Sequence, residues 1–223
     1  MAIRPIFVPS INGKQLYTEC NVEFKWNPGF ASIQKQKNIK ALHEGAKKYN
    51  LFSILEVSSK SEELLGQRLS AFSLKTKTEE YGEISIECAF QGSKVFENNI
   101  QYKDIYLKTS IEAKKDTRIR NSGKLIGFNY MGEEWGLEPK SAFYDWLYIQ
   151  ALYPHKDFLK KLYKYEGFTD IEFNPNKSIN CQARTCAIIV SLLKKDLYSE
   201  AMSSKKRFIE IIYEQKFLQG TLL

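Results

Sequence analysis

Glu87, Gln91 and Lys94 are the residues whose types and spacing could do chemistry. On a helix turning about 100° per residue, positions four and seven apart fall on one narrow stripe. Ile86, Cys88, Ala89, Phe90, Val95 and Phe96 cover most of the remaining circumference. A surface helix usually shows the reverse, a wide polar face beside an apolar stripe. A thin line of carboxylate, amide and amine set into an apolar cylinder most naturally lines a cleft. The competing reading leaves Glu87 and Lys94 as solvated charges on an outer face.

The elements that must position this stripe can be read around it. Ser85 is a suitable N-cap for a helix over Ile86 to Phe96. Strands are predicted at Ile3 to Val8 and Val22 to Trp26, with a turn at Asn12-Gly13. Ser32 is expected to cap a helix from Ile33 to Tyr49, and Phe52 to Ser58 reads as a strand on which Glu56 points either away from the core or into a pocket at the sheet's end. Ser59 to Phe72 reads as a polar connection. Downstream, Ser110 opens a basic helix through about Arg120, stopped by Asn121-Ser122-Gly123. Leu125 to Tyr130 is a strand, and the polar, glycine-bearing stretch from Gly132 to Lys140 an ordered loop. Pro139 suits the first turn of a helix carrying Ala142, Phe143, Trp146, Leu147, Ile149 and Leu152. Further helices are predicted at His155 to Tyr165, Ala183 to Leu193 with Asn180 as cap, and Ser203 to Phe217, and a short strand at Thr169 to Phe173.

Composition bounds the function classes. At 223 residues, with 43% hydrophobic and 13% aromatic content, the chain can bury a substantial core, read as one domain over 1–223. The net charge of +7 favours polyanionic partners without proving one. The basic residues cluster at Lys35, Lys37, Lys40, Lys47 and Lys48, at Lys114, Lys115, Arg118, Arg120 and Lys124, and at Lys205, Lys206 and Arg207. Each cluster is equally readable as the wet side of a helix. Cys20, Cys88, Cys181 and Cys186 match neither a metal knuckle nor a small disulfide framework, so reduced thiols in a cytoplasmic protein are expected. The N-terminus lacks a secretory apolar region, and no apolar run approaches the ~18 residues of a membrane span. With only His43 and His155 no multi-His metal site can be assembled; carboxylate-held magnesium is left open, and no cofactor is called for.

Glu87-Cys88-Ala89-Phe90-Gln91-Gly92-Ser93-Lys94 resembles the helix signature of the NADAR (NAD- and ADP-ribose-associated) family, in which a Glu is followed by an aromatic, a Gln and a Lys at this spacing. Leu69-Ser70-Ala71-Phe72 resembles the family's Leu-Ser-Asn-Phe segment, and Ile171-Glu172-Phe173-Asn174-Pro175 sits where the family carries a second Glu. The resemblance covers about residues 52–193, leaving 1–50 as N-terminal strands and helix and 198–223 as a C-terminal helix. It implies an α-rich α+β fold and hydrolysis of N-glycosidic bonds to ribose. The wording is most similar to the branch that removes ADP-ribose from guanine in DNA as antitoxin to a DarT-type ADP-ribosyltransferase toxin, in Phe24-Lys25-Trp26, Lys35-Gln36-Lys37, Glu133-Glu134-Trp135 and Phe143-Tyr144-Asp145-Trp146.

That chemistry develops positive charge on the ribose ring carbon while a nitrogen leaving group departs, so it needs negative charge near the sugar and a proton near the base. The resemblance then implies Glu87 as the group that orients water or steadies the oxocarbenium-like centre. It implies Glu172 as the partner that assists the leaving group or positions ribose hydroxyls. Lys94 is either a cation on ribose or diphosphate oxygens or, desolvated by Phe90 and Phe96, an amine nucleophile on the opened sugar. Gln91 would bond sugar hydroxyls or the base edge. Phe72 and Trp135 are candidates to stack on a base, Ser70 and Asn180 to bind substrate, and Asp145 is a secondary candidate for which a structural ion pair is the competing reading.

The partners implied are ADP-ribose, ADP-ribosylated guanine in single-stranded DNA and a cognate toxin, with no membrane. Ala71 replaces the family's usual Asn, and Asn180-Cys181-Gln182-Ala183 stands where the metabolic branch has an Asp-Trp-Gly-type turn. Both departures weaken the alternative of an N-glycosidase acting on phosphoribosylated riboflavin-pathway intermediates. A catalytically silent binder that neutralises a toxin by contact is the alternative outside enzymology.

Overall fold

The computed structural model describes residues 1–175 and 178–216, and these adopt an α+β fold, as expected. Strands β1 (Ala2–Pro9) and β2 (Tyr17–Phe24) form an antiparallel hairpin, with Gly13 between them in the left-handed region that glycine tolerates. Two short strands, the interior β10 (Gly167–Thr169) and the edge strand β3 (Ile54–Glu56), complete a sheet of order β2-β1-β10-β3. β1 pairs β10 antiparallel, whereas β10 pairs β3 in parallel, setting Thr169 beside Glu56. Helix α1 (Ser32–Ala46) covers this sheet by burying Ile39, Leu42 and Ala46 against Ile6, Val22, Phe24 and Ile54.

A second sheet, of order β7-β6-β8-β9, is built from β6 (Lys94–Phe96), β7 (Ile100–Gln101), β8 (Leu125–Tyr130) and β9 (Glu133–Trp135). A separate hairpin joins β4 (Lys75–Thr78) to β5 (Gly82–Ser85), and β5 runs directly into α3 (Ile86–Gly92). The main core lies around α6 (Ala142–Leu152), buried on almost every side, and α8 (Gln182–Lys194). Short helices fill the connections: α2 (Leu64–Arg68), α4 (Ser110–Lys115), α5 (Arg118–Asn121), α7 (Lys156–Leu159), α9 (Tyr198–Ala201) and α10 (Lys205–Ile212). Among the described residues no helix is long and apolar enough to cross a membrane.

Several sequence-based boundaries are corrected. The central helix stops at Gly92 rather than Phe96: a Cβ at Gly92 would come within 2.6 Å of the Tyr106 ring, and Ser93 closes the helix by bonding Ala89 O through both its N–H and its hydroxyl. Lys94 to Phe96 then pair with β8 as a strand, long-range pairing overriding local periodicity. The predicted basic helix divides in two at Asp116, whose carboxylate receives Lys108 and Arg118. Thr109, not Ser110, caps its first half in a capping box with Glu112. The second strand is Tyr17–Phe24 rather than Val22 to Trp26. Part of the loop from Gly132 is strand β9, turned by Met131 and Gly132 at positive φ. The strand placed at Thr169 to Phe173 ends at Thr169. Cys181, not Asn180, stands at the start of α8, with no side-chain cap bond. The final helix ends at Ile212, and the predicted end at Phe217 lies outside the described residues.

Candidate active site

Between α3, the start of α6 and the carboxyl ends of β3 and β10 lies a cleft of about 1140 Å³, larger than the ~300–1,000 Å³ usual for a small-molecule site. The parallel pair β10–β3 ends at this cleft, the place where parallel strands of open α/β sheets receive ligands. The loop Ser70 to Leu74 sets the position of α3 by accepting its otherwise orphaned first N–H groups, Ile86 N–H on Leu74 O at 2.9 Å and Glu87 N–H on Ala71 O at 3.1 Å. Ser85 caps the same end, its hydroxyl accepting from Cys88 N–H, as the sequence predicts. Gln182 ties three segments together: its amide donates to Val57 O at 2.6 Å and accepts from Ala71 N–H at 2.7 Å.

Glu87, buried to 9% exposure, faces this cleft and accepts a bond from the Gln91 amide at 3.0 Å. Lys94 enters it from β6 instead of from the helix, with its ammonium 5.1 Å from the Phe90 ring centre. Burial lowers the Lys94 pKa, and the nearby Glu87 charge partly restores it. The amine is therefore easier to deprotonate than a surface lysine, a condition for nucleophilic use. The carbonyl oxygen of Gln91 is buried and has no protein partner, so it is available to a ligand donor.

Ser70, Phe72, Glu172 and Asn180 also line the cleft. Glu172 stands at its rim, 39% exposed and 3.2 Å from Lys35. Trp135 and Asp145 lie elsewhere. Trp135 is packed among Phe143, Trp146 and Phe208, with the Lys205 ammonium 4.5 Å over its ring, in the hydrophobic core. Asp145 is fully buried and accepts from Arg184 at 2.8 Å, Thr185 at 2.6 Å and Tyr213 at 2.5 Å, the ion-pair arrangement weighed in the sequence. Neither lines the cleft.

The residue missed in the sequence is Asp170. It follows β10 directly, lines the cleft and accepts from Glu172 N–H at 3.0 Å. Burial, and after it the Glu56 charge, push its carboxyl up to about 8. Glu56 is buried behind it and accepts from Ser58 at 2.6 Å, Thr169 at 2.7 Å and Ile171 N–H at 2.8 Å. Burial raises the Glu56 pKa too, against the downward pull of those three donors. Tyr144, from α6, completes the floor; burial pushes its phenol pKa up, with the Glu87 and Asp170 charges adding to the effect. A signal for Asp170 was present in principle, a carboxylate immediately after a short strand, but its proton affinity depends on Glu56 in a strand distant in sequence.

The fold is mixed α+β, and its cleft brings together two carboxyls of different environment, Glu87 and Asp170, with the partly desolvated amine of Lys94. The chain matches the family described as DarT1-associated NADAR antitoxin over residues 2–221, and it belongs to that family. No curated protein matches it significantly. Membership extends the resemblance seen over residues 52–193 to nearly the whole chain and makes the protein an antitoxin associated with a DarT1 toxin. The NADAR family is associated with N-glycosidase activity.

Proposed function

We propose that the protein hydrolyses the N-glycosidic bond between ADP-ribose and guanine in single-stranded DNA, thereby reversing the toxin's modification. The observation that carries this reading is the convergence of Glu87, Lys94 and Asp170, from three separate elements, on one cleft of a size suited to a dinucleotide. The bond from the ribose carbon to guanine breaks with its electron pair passing to the guanine nitrogen. Asp170, which holds its proton to about pH 8, gives that proton to the departing base. Glu87, oriented by Gln91, faces the developing positive charge, directs water onto the ribose carbon and takes its proton.

Glu172, paired with Lys35 at the rim, suits the positioning of ribose hydroxyls. Lys94 serves as a cation on sugar or diphosphate oxygens, or its neutral amine displaces guanine from the opened sugar. In that second role the departing guanine takes up the proton the amine loses, leaving an imine that water hydrolyses to free ADP-ribose and lysine. Phe72 offers a ring at the cleft wall for a base. The test is release of free ADP-ribose from a single-stranded oligonucleotide carrying ADP-ribosyl-guanine. Release from free phosphoribosylated nucleotides alone would favour a metabolic N-glycosidase. Toxin protection in cells that persists in Glu87→Gln would favour neutralisation by contact.

A further inference from the structure

Of the three basic clusters, two are largely occupied by the protein's own acids. Lys35, Lys40 and Lys47 pair with Glu172, Glu62 and Glu44, and Arg207 bridges Glu200 and Glu210, with Lys206 also on Glu210. In the middle cluster Arg118 is held by Asp104 and Asp116. Lys114, Lys115, Arg120 and Lys124 are exposed and, among the described residues, form no ion pair. Lys114 and Lys115 line the cleft from α4, and Leu125 lines it from the start of β8, which brings its neighbour Lys124 towards the same rim. Ile111, on the same helix and also lining the cleft, is 56% exposed. Unpaired cations beside an exposed apolar side chain match the chemistry of a single strand, phosphates for the former and a base face for the latter.

We propose that the α4–α5 edge of the cleft is the track for single-stranded DNA flanking the modified guanine, with Lys115, Arg120 and Lys124 on phosphates and Ile111 against a base. This rests on the reading of the substrate as DNA, and it selects one of three basic clusters as the DNA-binding edge. Lys114, whose ammonium lies 5.0 Å over the Phe72 ring, marks where the track meets the cleft.

The test is binding of an unmodified single-stranded oligonucleotide, followed by fluorescence anisotropy over a range of salt. Lys115→Ala/Lys124→Ala is compared with Lys37→Ala/Lys48→Ala, which removes the same charge from the first cluster. The expected result is about tenfold weaker binding for the first pair alone, with a salt slope lower by ~1.4, about 0.7 for each phosphate no longer neutralised. Lys115→Arg/Lys124→Arg should restore both. Equal effects in the two alanine pairs, no effect in either, or no binding by the wild type overturns the proposal. Because this oligonucleotide carries no ADP-ribose, failure of the hydrolase reading is seen separately, as a protein that binds the strand along this edge and releases nothing from the modified one.

Discussion

The Gln91 amide donates to the Glu87 carboxylate at 3.0 Å across one turn of α3, while the other end of the same amide has no protein partner. Gln91 thus aims the carboxylate and keeps an acceptor free for substrate. Gln91→Ala is expected to lower kcat/KM about tenfold, ~1.4 kcal/mol of transition-state stabilisation. Gln91→Glu should cost more, since it sets a second negative charge against Glu87. Steady-state kinetics on the modified oligonucleotide checks both.

In the proposed mechanism Asp170 sets the basic limit of the reaction. Its carboxyl, pushed up to about 8, is protonated at neutral pH and loses its proton above that value. Activity should therefore fall as pH rises through about 8, and Asp170→Asn should remove this limb along with most of the rate. The linked effect on stability has the same sign: an Asp whose pKa is raised on folding favours the native state at low pH and loses that contribution as pH rises from its unfolded value through about 8. Asp170→Asn should flatten that part of the stability profile, measured by denaturant unfolding.

Asp145 and Arg184 test the distinction between site and scaffold. Asp145 is buried at the centre of α6 with Arg184, Thr185 and Tyr213 as donors, so removing the cation strands a negative charge in the core. Arg184→Met should destabilise the fold by about 3–5 kcal/mol. The molecules that remain folded should keep kcat near wild type. A large loss of kcat without loss of stability would return Asp145 to the active site.

The sequence made the α+β class, the Ser85 cap, the span of β8 and the cleft-facing positions of Glu87 and Gln91 legible, because each depends on local capping or periodicity. Lys94 reached the cleft by a different route from the one periodicity suggested, since pairing of β6 with β8 joins distant segments. Hairpin β4–β5 is not legible in the sequence: β4 alternates lysines with threonines and has no apolar face, and β5 offers only Ile84 to the core. The stretch from Gly132 to Lys140 reads as a loop in the sequence, yet Glu133–Trp135 pairs as β9 and sends Trp135 into the core, where burial depends on Phe208 far along the chain. Asp170 was obscured by Glu172 two residues on, because which of two neighbouring carboxylates lies deeper is fixed by where β10 ends.

The most direct measurement is release of free ADP-ribose from a single-stranded oligonucleotide bearing ADP-ribosyl-guanine, with Glu87→Gln and Lys94→Ala beside the wild type. Release by the wild type is expected, with a fall of at least ~10²-fold in each variant, the scale of a lost acid–base or charge-stabilising group. Release within a few-fold of wild type in Glu87→Gln, or none from the folded wild-type protein, would contradict the hydrolase reading.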